Sequence, residues 1–238
     1  PDRLAAAQVA IQELATQLII LDDAFQHRRL ARDLDIVLVD ALSPFGYGHV
    51  FPRGLLREPL SGIRRAQVVV LSRADLVDQK TRDAIRERIR PLAPLAEWAE
   101  VRHAPTVLVS AAGNHLDLET LQGTRVAAFC GIGNPEGFRQ TLTQLKYDLV
   151  DFRVFPDHHP YTRQDVHTLT EWLKQIKAQA AICTEKDLVK IGLDRLGNIS
   201  LWALRVEINF LSGQQAIENR LRTILERIQG QPDPLFSE

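Results

Sequence analysis

Short runs of consecutive apolar residues alternate along the chain with stretches whose apolar positions fall at helical spacing. In the first half the runs are Leu18-Ile19-Ile20-Leu21, Ile36-Val37-Leu38-Val39, Val68-Val69-Val70-Leu71 and Val107-Leu108-Val109. Runs this short, bounded by polar turn residues, predict strands buried on both faces. Leu4, Val9, Ile11 and Leu14 among alanines predict a helix over 4–17, and Ala84, Ile85 and Ile89 among charges predict another over 78–91. After Gly123 a second series begins: strand 126–130, helix 135–146, strand 149–155, helix 163–177, strand 180–183. An alternating strand over 201–208 and a helix over 213–229 close it. Strands separated by helices predict an α/β fold with a mostly parallel sheet covered by helices. A boundary near 123 divides the chain into a core domain, 1–123, and a smaller α/β domain, 124–238.

Polar residues gather where several of these strands should end, and ligands in open α/β sheets bind beyond the carboxyl ends of strands. Asp22 and Asp23 follow 18–21, a placement that suits Mg²⁺ beside a nucleotide phosphate. The plainer alternative is a polar turn with Asp23 capping a helix. Between Pro52 and Pro59 lie Arg53, Arg57 and Glu58. Arginine forks bind phosphate and a nearby carboxylate can complete a magnesium shell, whereas a surface Arg–Glu pair explains the same residues without function.

Asp157, His158 and His159 sit between Pro156 and Pro160. An Asp–His pair can tune a base or stabilise charge on a reacting hydroxyl; an Asx-turn with solvent-facing histidines is the alternative. Thr184-Glu185-Lys186-Asp187 follows the strand at 180–183 and reads either as a polar site or as a helix N-terminus capped by Thr184, with Asp187 at the third helical position. In Gly131-Ile132-Gly133-Asn134-Pro135 the third glycine falls at Gly137, which fits a tight strand-to-helix turn better than a dinucleotide fingerprint. Ser72-Arg73-Ala74-Asp75 resembles the base-reading segment of GTPases, with Arg73 in place of lysine, and Ser110-Ala111 resembles their Ser-Ala strand.

Composition narrows the classes. A net charge of −1 with 25% charged residues shows no basic excess, so no nucleic-acid partner is expected. Cys130 and Cys183 each lie inside an apolar run and read as core residues of a reduced, cytoplasmic protein. No apolar run reaches the roughly 18 residues of a transmembrane helix. The chain opens on Pro1 and contains no methionine, which suggests a natural beginning further upstream.

In order, Leu21-Asp22-Asp23-Ala24-Phe25-Gln26-His27-Arg28-Arg29-Leu30-Ala31-Arg32-Asp33, Leu56-Arg57-Glu58-Pro59, the Gly131–Pro135 turn, Phe155-Pro156-Asp157-His158-His159-Pro160-Tyr161 and Thr184-Glu185-Lys186-Asp187 closely resemble the tetraacyldisaccharide 4′-kinases. Ala24 stands where that family usually has glycine. The resemblance implies a P-loop-NTPase-like core, incomplete at its N-terminus, and transfer of phosphate from ATP to the 4′-hydroxyl of tetraacyldisaccharide 1-phosphate, giving lipid IVA. It implies Asp22, Asp23 and Glu58 around Mg²⁺ and a nucleotide–lipid cleft lined by Gln26, His27, Arg53, Arg57 and Lys186. His158, with Asp157, is implied near the reacting centre, assisting an aspartate base. The expected location is peripheral, at the cytoplasmic face of the bacterial inner membrane, through a segment upstream. The family's Walker-A loop has no counterpart here, since G-x-x-x-x-G-K-[ST] occurs nowhere in the sequence. The expectation is therefore that this chain alone is inactive. A truncated GTPase- or metallochaperone-like P-loop protein and a non-catalytic lipid- or partner-binding module are the alternative readings.

Overall fold

The computed structural model describes residues 2–229. It divides into two compact units, one made of residues up to His103 together with those from Ile208, the other Ala104–Glu207. Both crossings fall within long strands, so no linker composition marks them.

The first unit opens with α1 (Arg3–Leu14), capped by the Asp2 side chain, which accepts the N–H groups of Leu4 and Ala5. Strands β1 (Ile36–Asp40), β2 (Val68–Ser72) and the start of β3 (Glu97–Val109) run parallel, with Val37 opposite Val69 and Val69 opposite Trp98. Between β2 and β3 lies α2 (Gln79–Ile89), whose N-cap is Asp78. Because β2 has a neighbour on each side, its alternate residues face two cores. Val69 and Leu71 pack with Ile85 and Ile89 of α2, while Val68 and Val70 pack with Ala99, Val101 and Ile217.

The second unit holds β4 (His115–Leu116), antiparallel to the end of β3, then β5 (Arg125–Cys130), α3 (Pro135–Gln144), β6 (Asp148–Val154), α4 (Arg163–Gln175), β7 (Ala180–Thr184) and α5 (Glu185–Ile191). A two-residue strand, β8 (Arg195–Leu196), turns back on β9 (Ile199–Ser212), within which the chain re-enters the first unit, and α6 (Gln214–Gln229) follows there. Strand β5 lies between β6 and β7, and β7 pairs β9, all in parallel. The same period-two logic applies. Val126, Ala128 and Cys130 face Phe138 and Leu142 of α3, and Ala127 and Phe129 face Leu169, Trp172 and Leu173 of α4. Leu142, Leu169 and Leu173 are fully buried, and each contributes on the order of 2 kcal/mol by removal from water. The predicted mostly parallel, helix-covered sheet is the observed architecture.

One predicted strand is absent. Residues 18–21 form no ladder, and Leu18, Ile19 and Ile20 are exposed. A strand exists by pairing, and no described strand lies alongside to take these backbone groups. The Asp pair consequently sits on a turn after an irregular segment, and Asp23 caps no helix, because residues 24–30 are also irregular.

Candidate functional site

In the first unit the segment after α1 is shaped by side chains that bind backbone. Asp23 adopts left-handed geometry (φ 48°), and the His27 N–H closes a turn on the Ala24 carbonyl at 2.8 Å. Arg32 then gathers the stretch: its guanidinium donates to the carbonyls of His27 and Leu30 and forks onto Asp35 at 2.6 and 3.0 Å. The Asp35 N–H is received by Gln67 Oε1 at 2.7 Å, which ties the segment to the start of β2.

The loop after β1 folds on itself. The Leu55 N–H donates to Gly46, Leu56 to His49, and Phe51 back to Leu56. Gly54 is buried where any Cβ would collide with the carbonyls of His49 and Gly46, so only glycine fits there. This closure delivers Arg57 and Glu58 to the Asp22–Asp23 turn. Arg57 Nη1 lies 2.5 Å from Asp23 Oδ2. Glu58 binds two arginines, Arg65 at 2.5 Å through Oε1 and Arg28 at 3.3 Å through Oε2. Arg65 also stacks over the Phe25 ring at 4.4 Å and donates to the Phe25 carbonyl at 3.3 Å. Room for the Glu58 carboxylate comes from Gly62, where a Cβ would stand 2.6 Å from its Cδ.

The charges answer one another. The Arg57 hydrogen bond holds the Asp23 carboxyl below its ordinary value, and Asp23 raises Arg57 in turn. Burial alone would raise Glu58; Arg65 and then Arg28 outweigh it, so its carboxyl also lies low. The Asp23–Arg57 pair is more than half exposed on both sides, whereas Glu58 and Arg65 are mostly covered. The first pair can open to a ligand at little cost, and the second holds its place.

Among the described residues no three His, Cys, Asp or Glu side chains are grouped as a metal-binding set. Magnesium commonly takes only one or two protein carboxylates beside phosphate and water. Asp22 and Asp23 are adjacent on an exposed turn, and although Arg57 takes Asp23 Oδ2, the Asp22 carboxylate and Asp23 Oδ1 bind no arginine among the described residues, so the pair fits that role. Glu58 has both oxygens on guanidinium groups and fits as the anchor of an arginine cluster. Gln26, Arg53 and Lys186 are exposed, and no side-chain hydrogen bond or ion pair holds them among the described residues. His27 is half-buried and enters the clamp through its carbonyl. Arg28, Arg65 and Gly62 belong to the cluster although no sequence motif singles out their roles. Their partners lie in other loops, and only the fold supplies them.

In the second unit, Gly131 continues β5 and the Phe155–Tyr161 segment follows β6. The His158 N–H donates to the Gly131 carbonyl at 3.1 Å and to Asp157 Oδ1 at 3.0 Å, and His158 is left-handed (φ 59°). Its imidazole is exposed, with Nε2 4.0 Å from Asp157 Oδ2. His159 turns inward, stacked on Phe155 and edge-on to Tyr161. Its Nε2 lies 3.1 Å from Asp165 Oδ2, close in space without the in-line approach of a hydrogen bond. The Thr184–Asp187 stretch is a helix cap: Asp187 donates its N–H to Thr184 Oγ1 at 3.3 Å. Arg73, in the GTPase-like segment, forks onto Asp40 and is thereby engaged in an ion pair.

Comparison with known proteins completes the picture. Residues 1–226 match the family model of the tetraacyldisaccharide-1-P 4′-kinases. The chain is similar to the tetraacyldisaccharide 4′-kinase of Anaeromyxobacter sp. (strain Fw109-5), 40% identical over 95% of this chain and 61% of the relative. It is 35% identical to that of Halothermothrix orenii over 87% of this chain and 58% of the relative. Among solved structures it is similar to the "apo" form of LpxK from Aquifex aeolicus in complex with ATP. There the TM-score is 0.66 at 26% identity, covering 95% of this chain and 62% of that one. The chain thus spans about 60% of the length of such relatives.

Proposed function

The chain belongs to the tetraacyldisaccharide-1-P 4′-kinase family, and from that membership we propose that the protein transfers the γ-phosphoryl group of ATP to the 4′-hydroxyl of tetraacyldisaccharide 1-phosphate, giving lipid IVA. The observation that carries the reading is the Asp23–Arg57 and Glu58–Arg65–Arg28 cluster. Beside the exposed Asp22 it sets arginine-paired carboxylates and several guanidinium groups on turns pinned to the sheet, as phosphoryl transfer requires of a protein that must position and neutralise charge.

Asp22 and Asp23 are the proposed holders of Mg²⁺, which when bound offsets phosphate charge, and Glu58 fixes the arginines beside them. Arg57, released from Asp23, and Arg53 are suited to phosphate oxygens, because a guanidinium fork matches that geometry. Gln26, His27 and Lys186 are proposed as further contacts to nucleotide or lipid. His158, oriented by Asp157, is proposed to assist removal of the hydroxyl proton. The reaction is placed at the cytoplasmic face of the inner membrane; no helix among the described residues is long and apolar enough to cross one. Since the sequence contains no G-x-x-x-x-G-K-[ST] cradle for the β- and γ-phosphates, the 238-residue chain by itself is proposed to be inactive.

The test is transfer of label from γ-labelled ATP to the lipid by the full-length protein, with GTP as competitor and Asp23→Ala and His158→Ala beside wild type. Labelled lipid from wild type, reduced on the order of a hundredfold in each variant, supports the reading. A folded wild-type protein that transfers no label, or that prefers GTP, overturns it.

A further inference from the structure

Asp187 is fully buried, although it is a carboxylate. A buried charge must be met by donors, and the donors here show what it does. One is the Thr184 hydroxyl at 2.6 Å, an ordinary helix-cap contact. The other lies 56 residues away: the Gly131 N–H, 3.2 Å from each carboxylate oxygen. Gly131 is the first residue past the β5 ladder, and its carbonyl receives the His158 N–H at 3.1 Å. One peptide unit further back, the Cys130 carbonyl receives Phe155 at 2.8 Å. A Cβ on Gly131 would stand 3.1 Å from the Pro156 carbonyl oxygen and 3.3 Å from both Asp187 Oδ1 and the His159 Cβ. The carboxylate, the glycine and the Pro156–His159 segment are therefore in direct succession, with no space between them.

Tyr161 closes the far side of this segment. Its ring is edge-on to Phe129, Phe155 and His159 at centroid separations of 4.9 to 5.9 Å. Among the described residues its buried hydroxyl makes no hydrogen bond of regular geometry, and desolvation first, then the neighbouring Asp187 carboxylate, raises the phenol far above its ordinary value.

From this succession we infer that Asp187 is a positioning residue for His158: through the Gly131 amide it fixes the backbone from Pro156 to His159 and so the direction in which the exposed imidazole is presented. The left-handed backbone at His158, unusual for a residue other than glycine, is then held through its N–H, which the Gly131 carbonyl and the Asp157 side chain share. The two motifs around Gly131 and Thr184–Asp187, each explicable alone as a turn and a cap, act together on the third. The inference rests on the proposed role of His158 for its catalytic consequence, and on geometry alone for its structural one.

The test uses the full-length protein with Asp187→Ala, Asp187→Asn and Gly131→Ala. Two readouts are taken: steady-state transfer from ATP to the lipid, and the backbone amide resonances of Gly131, His158 and His159. Asp187→Ala is expected to shift all three resonances, leave those of α3 in place, and lower kcat on the order of a hundredfold, with KM for ATP within about twofold. Asp187→Asn keeps an acceptor for Gly131 and is expected to recover part of that loss, while Gly131→Ala should reproduce the loss from the other end of the relay. If Asp187→Ala yields no dispersed spectrum, the Asn and Gly131 variants decide. Unshifted His158 resonances in folded variants, or full kcat alongside shifted ones, overturns the inference. Inactive wild-type protein with the resonance pattern as expected would sink the kinase reading and leave the structural role of Asp187 standing.

Discussion

Replacing Arg65 by alanine separates the arginine cluster from the turn that carries the Asp pair. The side chain makes a charged hydrogen bond to Glu58, donates to the Phe25 carbonyl and stacks on the Phe25 ring. It is 23% exposed and Glu58 17%, so solvent screens the pair only in part. A charged hydrogen bond of this kind contributes roughly 1.5–3 kcal/mol and the stacking about 0.5–1 kcal/mol. Arg28 remains on Glu58 and offsets some of the loss, which leaves an expected destabilisation of about 2 kcal/mol at pH 7. The pH dependence has a defined sign. The Glu58 carboxyl is held below its ordinary value, so its contribution is fully present above the usual glutamate pKa and is lost as pH falls through the lowered one. Urea unfolding of wild type and Arg65→Ala at pH 7 and at an acid pH below the lowered Glu58 pKa should show the difference narrowing toward the part owed to Phe25, roughly 1 kcal/mol. A difference below about 0.5 kcal/mol at pH 7, or one equal at both pH values, refutes the assignment of Arg65 as the anchor of Glu58.

Other consequences follow from single contacts. Gly62→Ala places a methyl group against the Glu58 carboxyl group and is expected to cost about 1–3 kcal/mol in urea unfolding and to lower phosphoryl transfer. Thr162→Ala removes the capping box at the start of α4 and should cost about 1 kcal/mol. The Thr162 hydroxyl also donates to Asp165 Oδ2 at 2.7 Å and, with the Thr162 N–H that the variant keeps, holds that carboxyl low, so the part of the cost owed to the hydroxyl should shrink in acid, read by the same unfolding curves. Burial pushes the Cys130 thiol up to about 11 and raises Cys183 as well. Neither should react with a thiol reagent at pH 8 until the protein is unfolded, and rapid labelling of the native protein would contradict the core they occupy.

Much of the fold is legible in the sequence because its strands are flanked on both sides. Val68–Ser72, Arg125–Cys130 and Ala180–Thr184 are apolar runs for that reason, and each is a central strand. The same signal misleads at residues 18–21, since an apolar run states a need for neighbours and cannot supply them. The opposite failure occurs at the start of β3, where Glu97, Glu100, Arg102 and His103 hide a strand. Glu100 is buried there, but Arg82 at 3.5 Å and the Trp98 indole N–H at 3.1 Å satisfy it, partners a linear pattern does not disclose. The candidate site divides similarly. Asp22, Asp23, Arg57, Glu58 and His158 stand out because charged pairs and histidines between prolines are hard to explain by packing. Arg65 and the link from Asp187 to Gly131 do not stand out, because each acts through a contact made across the fold.

The most direct measurement is the identity of the product formed by the full-length protein from ATP and tetraacyldisaccharide 1-phosphate, by mass spectrometry and phosphorus NMR. The account predicts a lipid with one added phosphate on the 4′-hydroxyl, the 1-phosphate intact, and its loss in Asp23→Ala and Arg57→Ala. Phosphate at another position, or the same product yield from both variants, would contradict it.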